Sequence, residues 1–151
     1  MSVGSFLKVL IMGLPGSGKT TLAVDLQYFL NQNYKTYLLN ADKVREQFND
    51  WDFSEAGRER QAKRMKDLAN MHGQYNEIII CDFVCPLQKT RDQFNPDFII
   101  FMNTINQSRY EDTNKVFEPP KKFDVEAKSK NSNYYSKMIY NEIVHKMNKK
   151  V

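Results

Sequence analysis

Short apolar runs alternate along the chain with longer stretches that repeat their apolar residues at helical spacing. Leu7–Met12 is mostly apolar, as a strand buried on both faces would be. A glycine-rich turn follows, and then Leu22, Ala23, Leu26, Phe29 and Leu30 recur at the period of one helix face. Thr36–Leu39 reads as a second strand, running into Asn40, Ala41 and Asp42. A short helix is expected over Lys43–Phe48. Ser54 is a suitable N-cap, with Glu55 in the first turn, for a basic helix running to Met71 whose inward face is Ala62, Met65, Leu68 and Ala69. Glu77–Cys81 is a third strand closed by Asp82, and Leu87–Phe94 a short helix ended by the Asn95-Pro96 turn. Phe98–Met102 is a fourth strand. Residues Thr104–Lys122 are polar, contain Pro119-Pro120, and read as a loop or partial lid. Phe123–Val125 is expected as a short fifth strand and Asn133–Met147 as a closing amphipathic helix with Tyr135, Met138, Ile139, Ile143 and Met147 inward.

Strands alternating with helices imply a parallel sheet with right-handed crossovers. The expected fold is therefore a three-layer α/β phosphate-loop domain with a mostly parallel, twisted sheet of about five strands. The 151 residues suit one domain, 1–151, with a lid-like segment at about 104–122. Ligands in such sheets bind beyond the carboxyl ends of the strands. Gly13–Thr20, Asp42 and Asp82 all fall at those ends.

Gly13-Leu14-Pro15-Gly16-Ser17-Gly18-Lys19-Thr20 fits G-x4-G-K-[ST] in full, between a strand and a helix. Glycines let successive backbone N–H groups converge on phosphate oxygens, and the following helix adds its positive dipole end. Lys19 is expected to reach the terminal phosphates and Thr20 to bind Mg²⁺, with Thr21 completing the loop; ATP and Mg²⁺ are the expected cofactors. Asp82 is placed like the acid that helps hold Mg²⁺ in such proteins, and alternatively as a plain strand-end cap. Asp42 is a candidate for orienting an accepting hydroxyl and for the metal, and also a candidate cap of the next helix.

Composition narrows the class. With 41% hydrophobic and 26% charged residues the chain reads as globular, and no apolar run approaches bilayer length. Phe6–Met12 is too short for a signal peptide, so a cytoplasmic protein without membrane contact is expected. Cys81 and Cys85 read as reduced thiols beside a strand. The net charge of +4 is the kind of excess that can mark nucleic-acid binding. Much of it, however, lies in Lys146, Lys149 and Lys150 and in the basic helix, and no nucleic-acid motif accompanies it, so a small polyanionic substrate accounts for it and no nucleic-acid partner is expected. On the basic helix, Arg58, Gln61 and Met65 share one side with Arg64 beside them, while Arg60, Lys63 and Lys66 read as a solvated face. Phe53 is either a base-stacking ring or a hydrophobic staple for the helix start. A guanine-reading Asn-Lys-x-Asp segment is missing after Phe98–Met102, where Asn103-Thr104-Ile105-Asn106 stands. That argues against a GTPase switch, and the chain is short for a motor ATPase. A small-molecule kinase fits.

In order, these segments resemble the adenylylsulfate kinases. The family loop is matched by Gly13–Thr21, and its Leu-Asp-Gly-Asp-Asn-x-Arg by Leu39-Asn40-Ala41-Asp42-Lys43-Val44-Arg45. Its Phe-Ser and arginine-bearing helix are matched by Phe53-Ser54 and Gly57–Arg64, its Ser-Pro turn with arginines beyond by Cys85-Pro86 and Arg91, and its late Tyr/Phe-Glu-x-Pro by Phe117-Glu118-Pro119-Pro120. The resemblance implies transfer of the ATP γ-phosphate to the 3′-hydroxyl of adenosine phosphosulfate. It implies Lys19 and Asp42 as catalytic, Phe53 against the acceptor base, and Arg45, Arg58, Gln61, Lys115 and Phe117 as further acceptor contacts. It also makes a homodimer plausible. The sequence departs from the family at Asn40, Ala41 and Gln61, and its lid is shortened. Those departures keep open a same-scaffold kinase for another nucleotide-like acceptor, such as cytidine diphosphoramidate, and a nucleotide-binding module without turnover.

Overall fold

A computed structural model describes residues 5–149. Its strands are β1 (Leu7–Met12), β2 (Thr36–Asn40), β3 (Ile78–Asp82), β4 (Phe98–Met102) and β5 (Val125–Ala127). Its helices are α1 (Lys19–Leu30), α2 (Ala41–Phe48), α3 (Glu55–Gly73), α4 (Gln88–Phe94), α5 (Glu111–Val116) and α6 (Ser132–Lys149). The strands form one parallel sheet in the order β2-β3-β1-β4-β5.

Period-two alternation in β1 divides the core. Leu7, Val9 and Ile11 join the cluster under α1 and α6, with Leu22, Leu26, Ile139 and Ile143. Leu10 and Met12 join the opposite cluster, with Val44, Met65, Ala69 and Phe94 from α2, α3 and α4. Helices thus cover both faces, giving the expected three layers. Lys8 lies on the second face. Its ammonium donates to the Phe94 carbonyl at 2.5 Å and sits over the Phe94 ring, and burial pulls it below its ordinary range.

Most element ends shift by a residue or two, and three differences bear on the site or the core. The last strand is Val125–Ala127 rather than Phe123–Val125, because Val125 and Ala127 are the residues that reach the core beside β4. The polar segment after β4 contains the short helix α5. Helix α2 begins at Ala41, and Asn40, not Asp42, is its cap: the Asn40 side chain accepts from the Lys43 N–H at 3.0 Å. Both thiols are buried and free; burial raises Cys81 and pushes Cys85 up to about 12. No described helix is long and apolar enough to cross a membrane. Lys150 lies outside the described residues.

Candidate active site

The sheet order places β1 between β3 and β4, so the loop leaving β1 opens at the middle of the carboxyl edge. Gly13 fits there only without a side chain, since a Cβ would stand 2.7 Å from the Met102 carbonyl oxygen and 2.9 Å from Ser17 Oγ. Helix α1 starts from Gly18 at φ 100° with no side chain bonded to its first turn and no acid within it. Its N-terminal N–H groups and dipole therefore face the loop uncompensated, the condition under which a helix start holds phosphate. Lys19 is buried, and its ammonium donates to the Leu14 carbonyl across the loop at 3.0 Å. Ser17 Oγ is buried with no hydrogen-bond partner among the described residues. A buried hydroxyl, an uncapped helix start and a buried ammonium make a donor set that a nucleotide's phosphates fit.

Beside the loop, Asp82 is 3% exposed at the end of β3. Parallel register sets it opposite Asn40 of β2 and Ile11 of β1. The Thr20 hydroxyl donates to Asp82 Oδ2 at 2.6 Å, and the Asn40 amide donates to the same oxygen at 2.7 Å. Burial raises the Asp82 carboxyl above the usual range, opposed by Thr20, Lys19 and Asn40. Burial also lowers Lys19, opposed by the charges of Asp82 and Asp42. Among the described residues no cluster of three or more His, Cys, Asp or Glu forms a metal cage. Thr20, Asp82 and Asp42 instead offer the sparse oxygen set that suits Mg²⁺ shared with phosphate oxygens.

From the loop a cleft of about 1440 Å³ extends along the sheet edge to α3. Asp42 lines it between the two ends, and its charge acts on both Lys19 and Arg45. Arg45, Phe53, Arg58 and Gln61 line the far end. Arg45 and Arg58 are both buried, lie over the Phe53 ring at 4.3 and 5.7 Å, and are pulled below the ordinary arginine range by burial. Arg58 Nε donates to the Phe53 carbonyl at 2.7 Å, and Gln61 donates to the Ala41 carbonyl at 3.0 Å, tying α3 to the start of α2. Phe53 therefore stands in the cleft with half its surface exposed, and not as a buried staple.

Other expected contacts fall elsewhere. Phe117 stacks on Phe101 at 6.2 Å, packs against the second core cluster and does not line the cleft. Lys115 lines a separate recess with Ser54, Asp112 and the outer sides of Phe53 and Arg58. Arg60 is not simply solvated: it pairs with Asp50 at 2.7 Å and Asp52 at 3.2 Å, and Arg64 joins Asp50 at 3.0 Å. Arg91 is buried, and it donates to the carbonyls of Pro86 and Glu118 rather than facing a ligand.

The cleft also contains residues that the sequence alone did not single out. Trp51, Ile105, Arg109, Tyr110 and Lys130 line it. The Thr104 hydroxyl donates to the Ser17 carbonyl at 2.7 Å, joining the segment after β4 to the phosphate loop. Trp51 was detectable in principle, as the aromatic two positions before Phe53. The others depend on how the chain returns over the sheet edge.

Sheet order, loop and cleft define a phosphate-loop kinase class. The adenylylsulphate kinase family model matches residues 5–125, and the chain belongs to that family. An adenylyl-sulfate kinase of Penicillium chrysogenum is 37% identical over 89 residues, which is 57% of this chain and 42% of that protein. A probable adenylyl-sulfate kinase of Bacillus subtilis is 32% identical over 85 residues, 55% of this chain and 43% of that protein. The matched stretch thus spans less than half the length of these relatives. In fold, the chain resembles the Mycobacterium tuberculosis APS kinase solved with AMPPNP and APS, with TM-score 0.77, 20% identity and coverage of 91% of this chain and 96% of that one. Shikimate kinase of Aquifex aeolicus shares the fold at TM-score 0.63 and 14% identity, covering 93% and 98%.

Proposed function

We propose that this chain transfers the γ-phosphate of ATP to the 3′-hydroxyl of adenosine phosphosulfate, giving ADP and the 3′-phosphorylated nucleotide. The observation that carries this reading is the single cleft with a phosphate-binding loop at one end, Arg45, Phe53, Arg58 and Gln61 at the other, and Asp42 between them.

The free N–H groups at the start of α1 and the Lys19 ammonium hold the β- and γ-phosphates and offset the charge that grows on them during transfer. Mg²⁺, when bound, neutralises the phosphate oxygens. Thr20 and Asp82 are the groups positioned to hold it, with Asp42 nearby. At the far end the arginines pair with the acceptor's phosphosulfate, for which forked donors are suited. Phe53 offers an apolar surface to its base. Asp42 orients the 3′-hydroxyl and takes its proton as the oxygen attacks the γ-phosphorus and the bond to the β-phosphate oxygen breaks. Residues 104–122 act as a short lid, anchored to the phosphate loop through Thr104 and to α3 through the Arg58–Thr113 contact of 3.4 Å.

The test is transfer from labelled ATP with Mg²⁺ to adenosine phosphosulfate, with Lys19→Ala as control and products identified by mass. A Lys19-dependent 3′-phosphorylated product is expected. Intact ATP binding without transfer would discard this acceptor. Asn40, Ala41 and the short lid then favour a cytidine diphosphate derivative, assayed in the same way.

A further inference from the structure

Residues 50–53 link α2 to α3 without regular secondary structure. Asp50 and Asp52 are held by Arg60 and Arg64, with little of the Asp50 side chain exposed. Trp51 and Phe53 face the cleft. The backbone is pinned on both sides of Trp51: Arg45 donates to the carbonyl of Asp50 at 2.8 Å and to that of Asp52 at 3.3 Å. The segment also lies flat on α3 at Gly57, where a Cβ would stand 2.1 Å from the Asp52 carbonyl oxygen. Three arginines and a glycine thus fix a segment whose Trp51 remains 50% exposed.

Among the described residues, the Trp51 indole has no aromatic or cationic partner and its N–H makes no hydrogen bond. The Phe53 ring, by contrast, is shared with two guanidinium groups. A large aromatic surface left bare inside a cleft, on a backbone held rigid, is preorganised to bind a flat apolar group. We propose that Trp51 is the principal stacking surface for the acceptor's nucleobase and a determinant of acceptor affinity, with Phe53 as the secondary surface. This deepens the acceptor reading above and rests on it. The phosphates of ATP are held at the other end of the cleft, so Trp51 serves the acceptor alone.

Trp51 is the only tryptophan of the chain, so its emission reports on this position alone. Adenosine phosphosulfate is titrated into the full chain while Trp51 emission is followed, and AMP-PNP with Mg²⁺ is titrated separately. Calorimetry measures both ligands with wild type, Trp51→Ala and Trp51→Phe. Expected results are a saturable emission change with adenosine phosphosulfate and little change with AMP-PNP. Acceptor binding should weaken about tenfold or more in Trp51→Ala, in line with the loss of one base–aromatic stack. It should be largely retained in Trp51→Phe, with AMP-PNP affinity the same in all three. In turnover, the acceptor KM rises while kcat stays within about twofold, a split that loss of folding would not produce. Equal acceptor affinity in wild type and Trp51→Ala, or an emission change driven by AMP-PNP alone, overturns the Trp51 assignment and leaves the acceptor reading standing. No calorimetric binding of adenosine phosphosulfate to wild type removes the acceptor reading, and the Trp51 assignment with it.

Discussion

The Asn40 side-chain N–H donates to Asp82 Oδ2 at 2.7 Å, while Asn40 Oδ1 accepts from the Lys43 N–H and caps α2. Where the resembled family carries an acid, this chain carries a group that both satisfies Asp82 and starts the helix holding Asp42. An aspartate at 40 could still cap α2 but would press a second carboxylate on Asp82. Asn40→Asp is therefore expected to lower the Tm of the ligand-free protein by about 2–4 °C, the scale of a 1 kcal/mol loss in a domain of this size. Mg²⁺ should restore more stability to the variant than to wild type. Thermal melts with and without Mg²⁺ check both; equal Mg²⁺ shifts would show that residue 40 does not face the metal position.

Asp82 is burdened by its own charge. Its folded-state carboxyl titrates above the usual range because of burial, so ionising it costs the folded chain stability as pH rises from the unfolded value through the folded one. Asp82→Asn keeps an oxygen that accepts from Thr20 and Asn40 but carries no charge. The variant should melt about 2–4 °C above wild type at neutral pH, the advantage shrinking toward pH 4, while Mg²⁺-dependent transfer is lost. Melts across pH, set beside the transfer assay, decide it.

Asp42 and Lys19 separate chemistry from binding. Asp42→Asn should reduce transfer ~10²-fold or more with ATP affinity little changed, as for loss of a positioned proton acceptor. Lys19→Ala should lose tight ATP binding and transfer together. Single-turnover kinetics with direct ATP titration distinguishes the two patterns, and undiminished transfer by Asp42→Asn would remove its assigned role.

Phe117 and Arg91 are expected to act on stability. Phe117→Ala removes a ring stacked on Phe101 and should cost about 1–3 kcal/mol, less than a fully buried phenylalanine. Arg91→Met leaves the Glu118 carbonyl without its donor, while the Pro86 carbonyl keeps the Glu118 N–H, and should cost about 1–2 kcal/mol. Urea unfolding measures both. An acceptor KM that rises in Phe117→Ala without a change in urea midpoint would return this residue to the acceptor site.

The strands, the main helices and the phosphate loop were legible in the chain because each depends on local pattern. Apolar runs mark β1, β3 and β4, helical spacing marks α1 and α6, and G-x4-G-K-[ST] is one contiguous turn whose backbone geometry its own glycines set. The position of Asp82 was legible for the same reason, since a strand end is a local feature. What surrounds each group was not. Asn40 meets Asp82 only because parallel register sets β2 beside β3, and nothing in either segment states that register. Phe117 and Lys115 are expected as acceptor contacts from their order in the chain, and only the tertiary structure sets Phe117 against Phe101 and Lys115 in a recess beside Phe53 and Arg58. The place of Trp51 in the cleft depends on Arg45, Arg60 and Gly57, which hold its segment from distant points of the chain. Local periodicity and turn chemistry are written in neighbouring residues. Which side chains share a cleft depends on long-range packing, which only the tertiary structure decides.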